Sequence, residues 1–292
     1  MIYGILYPLS LLPLKVLYLL SDFVYFNLYY VFKYRRTIVS KHIMKSFGGL
    51  NANERTQIEK DFYRSFCDHF IETLKLLSIS KEDMHKRITV DYSEIEKTVS
   101  ENKNCHVYLG HQFNWEWANA HISSSLNHNI IVAYKPISSP QFDKLMLRIR
   151  GRFGSKLVSS KNMKKEIEKL GSQPHVLILV ADQNPNIPMK SFWTTFLSQK
   201  TAFQNGPEIY TASNRTRSFF ANIVREKRGY YKMEVSRLFD FSEPYKTGLI
   251  TQLYAIKLEE SIIDNPENYL WSHRRWKHEY KDEYIKRSVE SL

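Results

Sequence analysis

The stretch Pro174-His-Val-Leu-Ile-Leu-Val-Ala-Asp-Gln183 decides how the rest of the chain is read. Its apolar residues follow one another without the alternation of a half-exposed strand. A short continuous apolar run closed by turn formers (Asp182, Asn184, Pro185) fits a strand covered on both faces. Such a strand belongs in the middle of a sheet with helices packed on either side.

Working outward, further strand candidates are Arg87–Asp91, Cys105–Leu109, Ile130–Tyr134, Arg217–Arg225 and Tyr230–Val235. Helical patterns occupy 115–126, with Asn114 as N-cap, and also 139–151, Asn205–Ser213 and Thr247–Ile263. Strands alternating with helices predict an α/β sheet flanked by helices. Upstream, 37–80 is helical. Ile58, Phe62, Phe66, Phe70 and Leu74 recur at helical spacing and are expected to pack in the core.

Two strand ends carry candidate chemistry. Leu109-Gly-His-Gln-Phe-Asn-Trp-Glu-Trp-Ala118 puts His111 in a loop after one strand and Glu116 in the first turn of the next helix. On a continuous helix the two would point about 140° apart. A loop histidine can instead fold back over the helix start, where Glu116 accepts a hydrogen bond from one ring nitrogen and leaves the other as a base. The alternative is an exposed loop histidine beside an unrelated glutamate at a helix N-terminus. Asp182 and Gln183 leave the apolar strand at the corresponding end, where open α/β sheets bind ligands. They also read as an ordinary turn.

Between Lys144 and Lys165 stand Lys144, Arg148, Arg150, Arg152, Lys156, Lys161, Lys164 and Lys165, without an acidic residue before Lys165. Guanidinium groups at Arg150 and Arg152 suit phosphate, and a solvated basic helix face is the plainer reading. The chain of 292 residues has a net charge of +12, so anionic lipids, phosphorylated substrates or acidic proteins are natural partners. No nucleic-acid module surrounds the basic stretch, and no nucleic-acid partner is expected. Two cysteines, Cys67 and Cys105, lack any metal-ligand spacing and read as reduced, packed thiols. There is no phosphate-binding glycine loop, and neither a metal nor a cofactor is expected.

In residues 1–32 only Lys15 and Asp22 are charged, and Lys33, Arg35 and Arg36 follow at once. The length suffices for one bilayer crossing, although Pro8 and Pro13 interrupt it. The expectation is a retained membrane anchor, inserted or lying in the interface, with its basic flank on the cytoplasmic side. A buried amphipathic core helix is the alternative.

Several motifs occur in a fixed order: His111-x4-Glu116 after a strand, Tyr134-Lys-Pro136, Arg150-Gly-Arg-Phe-Gly154, Ala181-Asp-Gln183 and Pro266-Glu-Asn-Tyr-Leu-Trp-Ser-His-Arg-Arg-Trp276. Their order and spacing resemble the bacterial lipid A biosynthesis acyltransferases, the lauroyl/myristoyl transferase family, over most of the chain. The resemblance implies an α/β acyltransferase-like fold, with a central mostly parallel or mixed sheet and an N-terminal membrane-anchoring helix. It divides the chain into an anchor over 1–36 and an acyltransferase domain over 37–292. It implies transfer of a fatty acyl chain from acyl carrier protein to a hydroxyl of a lipid A precursor, at the cytoplasmic face of the inner membrane. His111 would be the general base and Glu116 its orienting partner. Arg150 and Arg152 would bind a phosphate of the lipid or of the carrier's prosthetic arm. Asp182 and Gln183 would line or close the site. Asn184, Pro185 and Asn186 depart from the family's usual continuation of that motif. Another membrane glycolipid or aminolipid as acceptor, or a non-catalytic membrane-surface protein, are the competing readings.

Overall fold

The apolar strand at 175–180 lies inside a seven-stranded sheet, as its lack of alternation requires. The computed structural model describes residues 2–169, 171 and 173–289. Met1 and 290–292, the outer bounds of the expected anchor and domain, lie outside the described residues. In chain order the strands are β1 (Ile88–Val90), β2 (Cys105–Leu109), β3 (Asn129–Tyr134), β4 (Lys156–Ser159), β5 (His175–Val180), β6 (Phe192–Phe196), β7 (Gln199–Phe203), β8 (Arg217–Lys227) and β9 (Tyr230–Phe239). The large sheet has the order β1-β9-β8-β2-β5-β3-β4, and β6 and β7 form a separate hairpin. Strands β8, β2, β5, β3 and β4 are mutually parallel; β9 and β1 run the other way. The sheet is therefore mixed, with a parallel centre.

Core residues divide between the two faces of that sheet. Val107, Val176, Ile178 and Phe219 belong to one apolar cluster, with Trp117 and Ile122 from the helix Trp115–Ser125. Tyr108, Leu177, Leu179 and Phe220 belong to the other, with Tyr254, Leu258 and Ile262 from the helix Leu249–Asp264. Strand residues alternate between the clusters because successive side chains leave a strand on opposite faces. This double coverage is why β2 and β5 are almost wholly buried.

The helix Ala52–Lys75 begins with a capping box: Asn51 caps the Asn53 and Glu54 amides, and Glu54 accepts from the Asn51 amide. Phe62, Phe66 and Leu74 are buried as expected, but Phe70 is 57% exposed. Steps of four residues advance the stripe by about 40° each turn, so its members do not all face one way.

The expected N-terminal anchoring helix is two helices. Ile2–Leu11 and Leu14–Val31 meet at a bend of 120° across Leu12 and Pro13. Among the described residues no single helix is long and apolar enough to cross a membrane, while this bent pair passes by length and composition. One face of the pair is built into the protein: Leu14, Leu17, Tyr25 and Tyr29 join the two core clusters. Ser21 donates to Asp68 at 2.7 Å, and Arg228 bridges Asp22 and Asp68. Tyr18 donates to Glu72 at 2.7 Å. The other face exposes Leu19, Phe23, Phe26 and Phe32, with Leu19 at 69% and Phe32 at 71%.

Candidate active site

The parallel register of β2 against β5 brings the two candidate loops together. Leu109 lies opposite Val180, so counting two residues onward along both strands reaches His111 and Asp182. The amide of Ala181 donates to the Leu109 carbonyl just beyond the last strand pair. Gly110 makes the exit from β2 possible, since a Cβ there would come within 2.4 Å of the buried Leu258 side chain.

Asp182 clamps His111 through both carboxylate oxygens. Oδ1 is 2.5 Å from His111 Nδ1, and Oδ2 accepts the His111 backbone N–H at 3.1 Å. Asp182 is buried. Burial alone would raise its pKa, but the His111 imidazole beside it, the two hydrogen bonds from His111 and the nearby Arg275 charge outweigh it. The carboxyl is held at about 2, below its ordinary 3.8. An ionised Asp182 accepting from Nδ1–H fixes the histidine tautomer and leaves the Nε2 lone pair outward. The Gln183 amide nitrogen, which can only donate, sits 3.0 Å from that Nε2. Trp115 packs edge-on to the imidazole, with ring centres 4.9 Å apart.

The expected bond from His111 to Glu116 is therefore not formed. Glu116 does occupy the first turn of the helix Trp115–Ser125, with Asn114 capping the Trp117 amide. Its carboxylate is held by the Arg150 fork, from Nε at 2.9 Å and Nη2 at 2.6 Å, and by Trp115 Nε1 at 3.0 Å. Burial opposes its ionisation, yet the Arg150 charge and hydrogen bonds lower its pKa overall. The family resemblance implied a partner five residues away. Sheet pairing supplies one 71 residues away instead.

Arg150 spends Nε and Nη2 on this buried carboxylate, and the pair stands in the cavity wall. Arg152 does not join this site. At 100° per residue, positions 148 and 152 share one face of the helix Pro140–Gly151, while 150 points nearly the opposite way. Arg152 Nη1 donates to the carbonyls of Leu76 and Ile79.

His111, Glu116, Arg150 and Gln183 line a cavity of about 590 Å3 at the ends of β2, β3 and β5, a volume typical of small-molecule sites. Val132, Ala133, Ile178 and Leu179 contribute apolar wall, and Lys135 and Lys161 stand among its lining residues. The cavity therefore joins an apolar compartment to a histidine lone pair and two lysines. Both cysteines are buried elsewhere, and burial pushes each thiol up to about 12, so neither supplies a thiolate near neutral pH.

The C-terminal segment also supports the site, in a way that its local sequence does not announce. Leu270 donates to the His111 carbonyl at 3.1 Å, and Phe113 donates to the Asn268 carbonyl at 2.8 Å. His273 Nε2 accepts the Asn184 amide at 3.3 Å; burial drives that imidazole down to about 4, so it is neutral and able to accept. Arg275, fully enclosed, donates through Nη1 to the Ala202 carbonyl at 2.8 Å. One segment thus braces the loops after β2 and β5 together.

The family described as bacterial lipid A biosynthesis acyltransferase matches residues 1–278. The chain belongs to that family. As a lipid A biosynthesis acyltransferase, it places all but one of the residues expected at the site around a single cavity or directly behind it; Arg152 is the exception. No curated protein matches the chain.

Proposed function

We propose that this acyltransferase moves a fatty acyl chain from an acyl carrier protein thioester to a hydroxyl of a lipid A precursor, with His111 as general base. The single observation that carries the mechanism is the Asp182 clamp, which directs the Nε2 lone pair of His111 outward beside the cavity. The acceptor hydroxyl takes the position now held by the Gln183 amide. Nε2 removes its proton as the oxygen attacks the thioester carbonyl, giving a tetrahedral oxyanion. Collapse breaks the C–S bond, and the leaving thiolate takes the proton back from His111, so base and enzyme are regenerated. Asp182 holds the tautomer and stabilises the transient imidazolium. The buried Glu116–Arg150 pair shapes the wall beside the reacting atoms. No covalent enzyme intermediate is required.

The enzyme works at the cytoplasmic face of the inner membrane, lying on it rather than crossing it. The bent N-terminal pair supports this reading: one face is built into the core and the other exposes Leu19, Phe23, Phe26 and Phe32. Lys33 and Arg35 follow immediately and suit anionic headgroups.

The test is acyl transfer by the detergent-purified protein from acyl carrier protein thioesters to a lipid A precursor. The His111→Ala variant should lose activity by about 100-fold or more, the usual scale of general-base catalysis. Equal activity in that variant would refute the mechanism. Transfer to a different lipid only would refute the acceptor.

A further inference from the structure

The cavity around His111 leaves one basic feature unused. Lys144, Arg148 and Arg152 follow at intervals of four on one exposed face of the helix Pro140–Gly151. Among the described residues none of the three pairs with a carboxylate; the ion pairs nearby in sequence are Arg150–Glu116 and Lys156–Glu166. Arg148 and Arg152 line a second cavity of about 580 Å3, together with Tyr3, Tyr7 and Ser78. Arg148 stacks its guanidinium 3.8 Å from the Tyr3 ring centre, and Tyr3 stacks on Tyr7 at 5.3 Å. Arg152 is pinned by Nη1 on two backbone carbonyls and lies 4.8 Å over the Phe153 ring centre, which leaves Nε and Nη2 without a hydrogen-bond partner among the described residues. Two guanidinium groups held in place in a cavity lined by tyrosines match a phosphate.

The surroundings say which kind of phosphate. The other wall of the cavity is the helix Ile2–Leu11, which has no charged residue and exposes Ile5, Tyr7 and Leu11. A soluble anion has no use for an apolar border. A headgroup whose chains enter a bilayer does, and tyrosine is common at that depth. We propose that Arg148 and Arg152 hold the phosphate of an anionic bilayer phospholipid, with Lys144 extending the field, while Ile2–Leu11 lies among the acyl chains. This headgroup site is separate from the acceptor site, because Arg150 faces the other side of the helix. It rests on the membrane-surface reading above.

The test uses the full chain and the double variant Lys144→Gln/Arg148→Gln. Arg152 is left intact because it ties down two backbone carbonyls, and the melting temperature checks that the variant is folded. Co-sedimentation is measured with vesicles of phosphatidylcholine alone and of phosphatidylcholine with phosphatidylglycerol. Wild type should prefer the anionic vesicles, and the variant should lose about tenfold or more of that affinity while binding neutral vesicles as before. Equal binding of both vesicle types by wild type and variant overturns the proposal. Binding of neither vesicle by wild type overturns it together with the membrane reading. Loss of the anionic preference in millimolar inorganic phosphate, but not in chloride of equal ionic strength, would mark a free-phosphate site instead. A raised KM for the acidic carrier protein with unchanged vesicle binding would assign the stripe to the carrier and refute the lipid.

Discussion

Asp182→Asn separates the observed His111 partner from the one that sequence spacing suggested. The carboxylate accepts two hydrogen bonds, from the His111 backbone N–H and from Nδ1–H. An asparagine offers one oxygen and one NH2, so it cannot accept both. If its oxygen keeps the backbone N–H, its NH2 faces Nδ1 and forces the proton onto Nε2, the wrong tautomer for a base. The stability at stake follows from the lowered pKa: moving from 3.8 to about 2 corresponds to about 2–3 kcal/mol, at about 1.4 kcal/mol per tenfold. A chain of this size should lose about 5 °C or more in Tm. In the transfer assay, kcat should fall by about 10³–10⁴, the scale of losing the tautomer-fixing carboxylate in a comparable triad. The sign of the pH dependence is also set. A group whose folded pKa is depressed stabilises the fold above its unfolded pKa and loses that contribution as pH falls. The Tm difference between wild type and variant should therefore be full above about pH 4 and shrink as pH falls toward about 2. Retention of more than a tenth of the activity, or a Tm difference that does not shrink in acid, would refute the assignment of Asp182.

Glu116→Gln should behave differently, because its partner is Arg150: stability should drop by about 3–5 kcal/mol from the uncompensated guanidinium, with the shape of the pH–rate profile retained. A shifted acid limb in that profile would restore Glu116 as the histidine's partner. Gln183→Ala removes a donor that the acceptor hydroxyl is meant to displace, so kcat should stay within about tenfold; a loss beyond 100-fold would place Gln183 in the chemistry. Leu19→Asp/Phe23→Asp should weaken binding to neutral vesicles by about 100-fold or more, at about 1.5–3 kcal/mol for each apolar side chain, with Tm unchanged because both are exposed. Unchanged sedimentation with vesicles would count against this face as the membrane contact. Gly110→Ala should cost about 1–3 kcal/mol by driving a Cβ into Leu258, read as a lower Tm; an unchanged Tm would show that the helix Leu249–Asp264 can yield.

Much of the architecture was legible because apolar pattern and burial are two views of the same property. The run at 176–181 lacks alternation, and β5 is covered on both faces. Asn114 reads as a cap and acts as one. By contrast, β4 has only Leu157 and Val158 as apolar residues inside a basic stretch, too short to carry a period. The β6–β7 hairpin went unread as well; Leu197 and Ser198 at its turn adopt positive φ without the glycine that usually announces one. The site divides in the same way. His111, Glu116, Arg150, Asp182 and Gln183 were each recognisable as polar residues at strand ends or in a basic helix, but their pairings were not. Arg152 looked equivalent to Arg150, and the helical rotation between them sends the two to different cavities.

The sequence by itself determined the α/β class, the principal strands of the sheet, the two loops that meet at the cavity and the apolar N-terminal segment, because these depend on local periodicity and turn formers. Only the tertiary structure decided that Asp182 is the residue on His111, that Glu116 belongs to Arg150, and that Ile2–Val31 bends and docks instead of forming one straight helix. The physical reason is register. Which residues meet across parallel strands is set by the alignment of whole elements far apart in the chain, and no local spacing encodes that alignment.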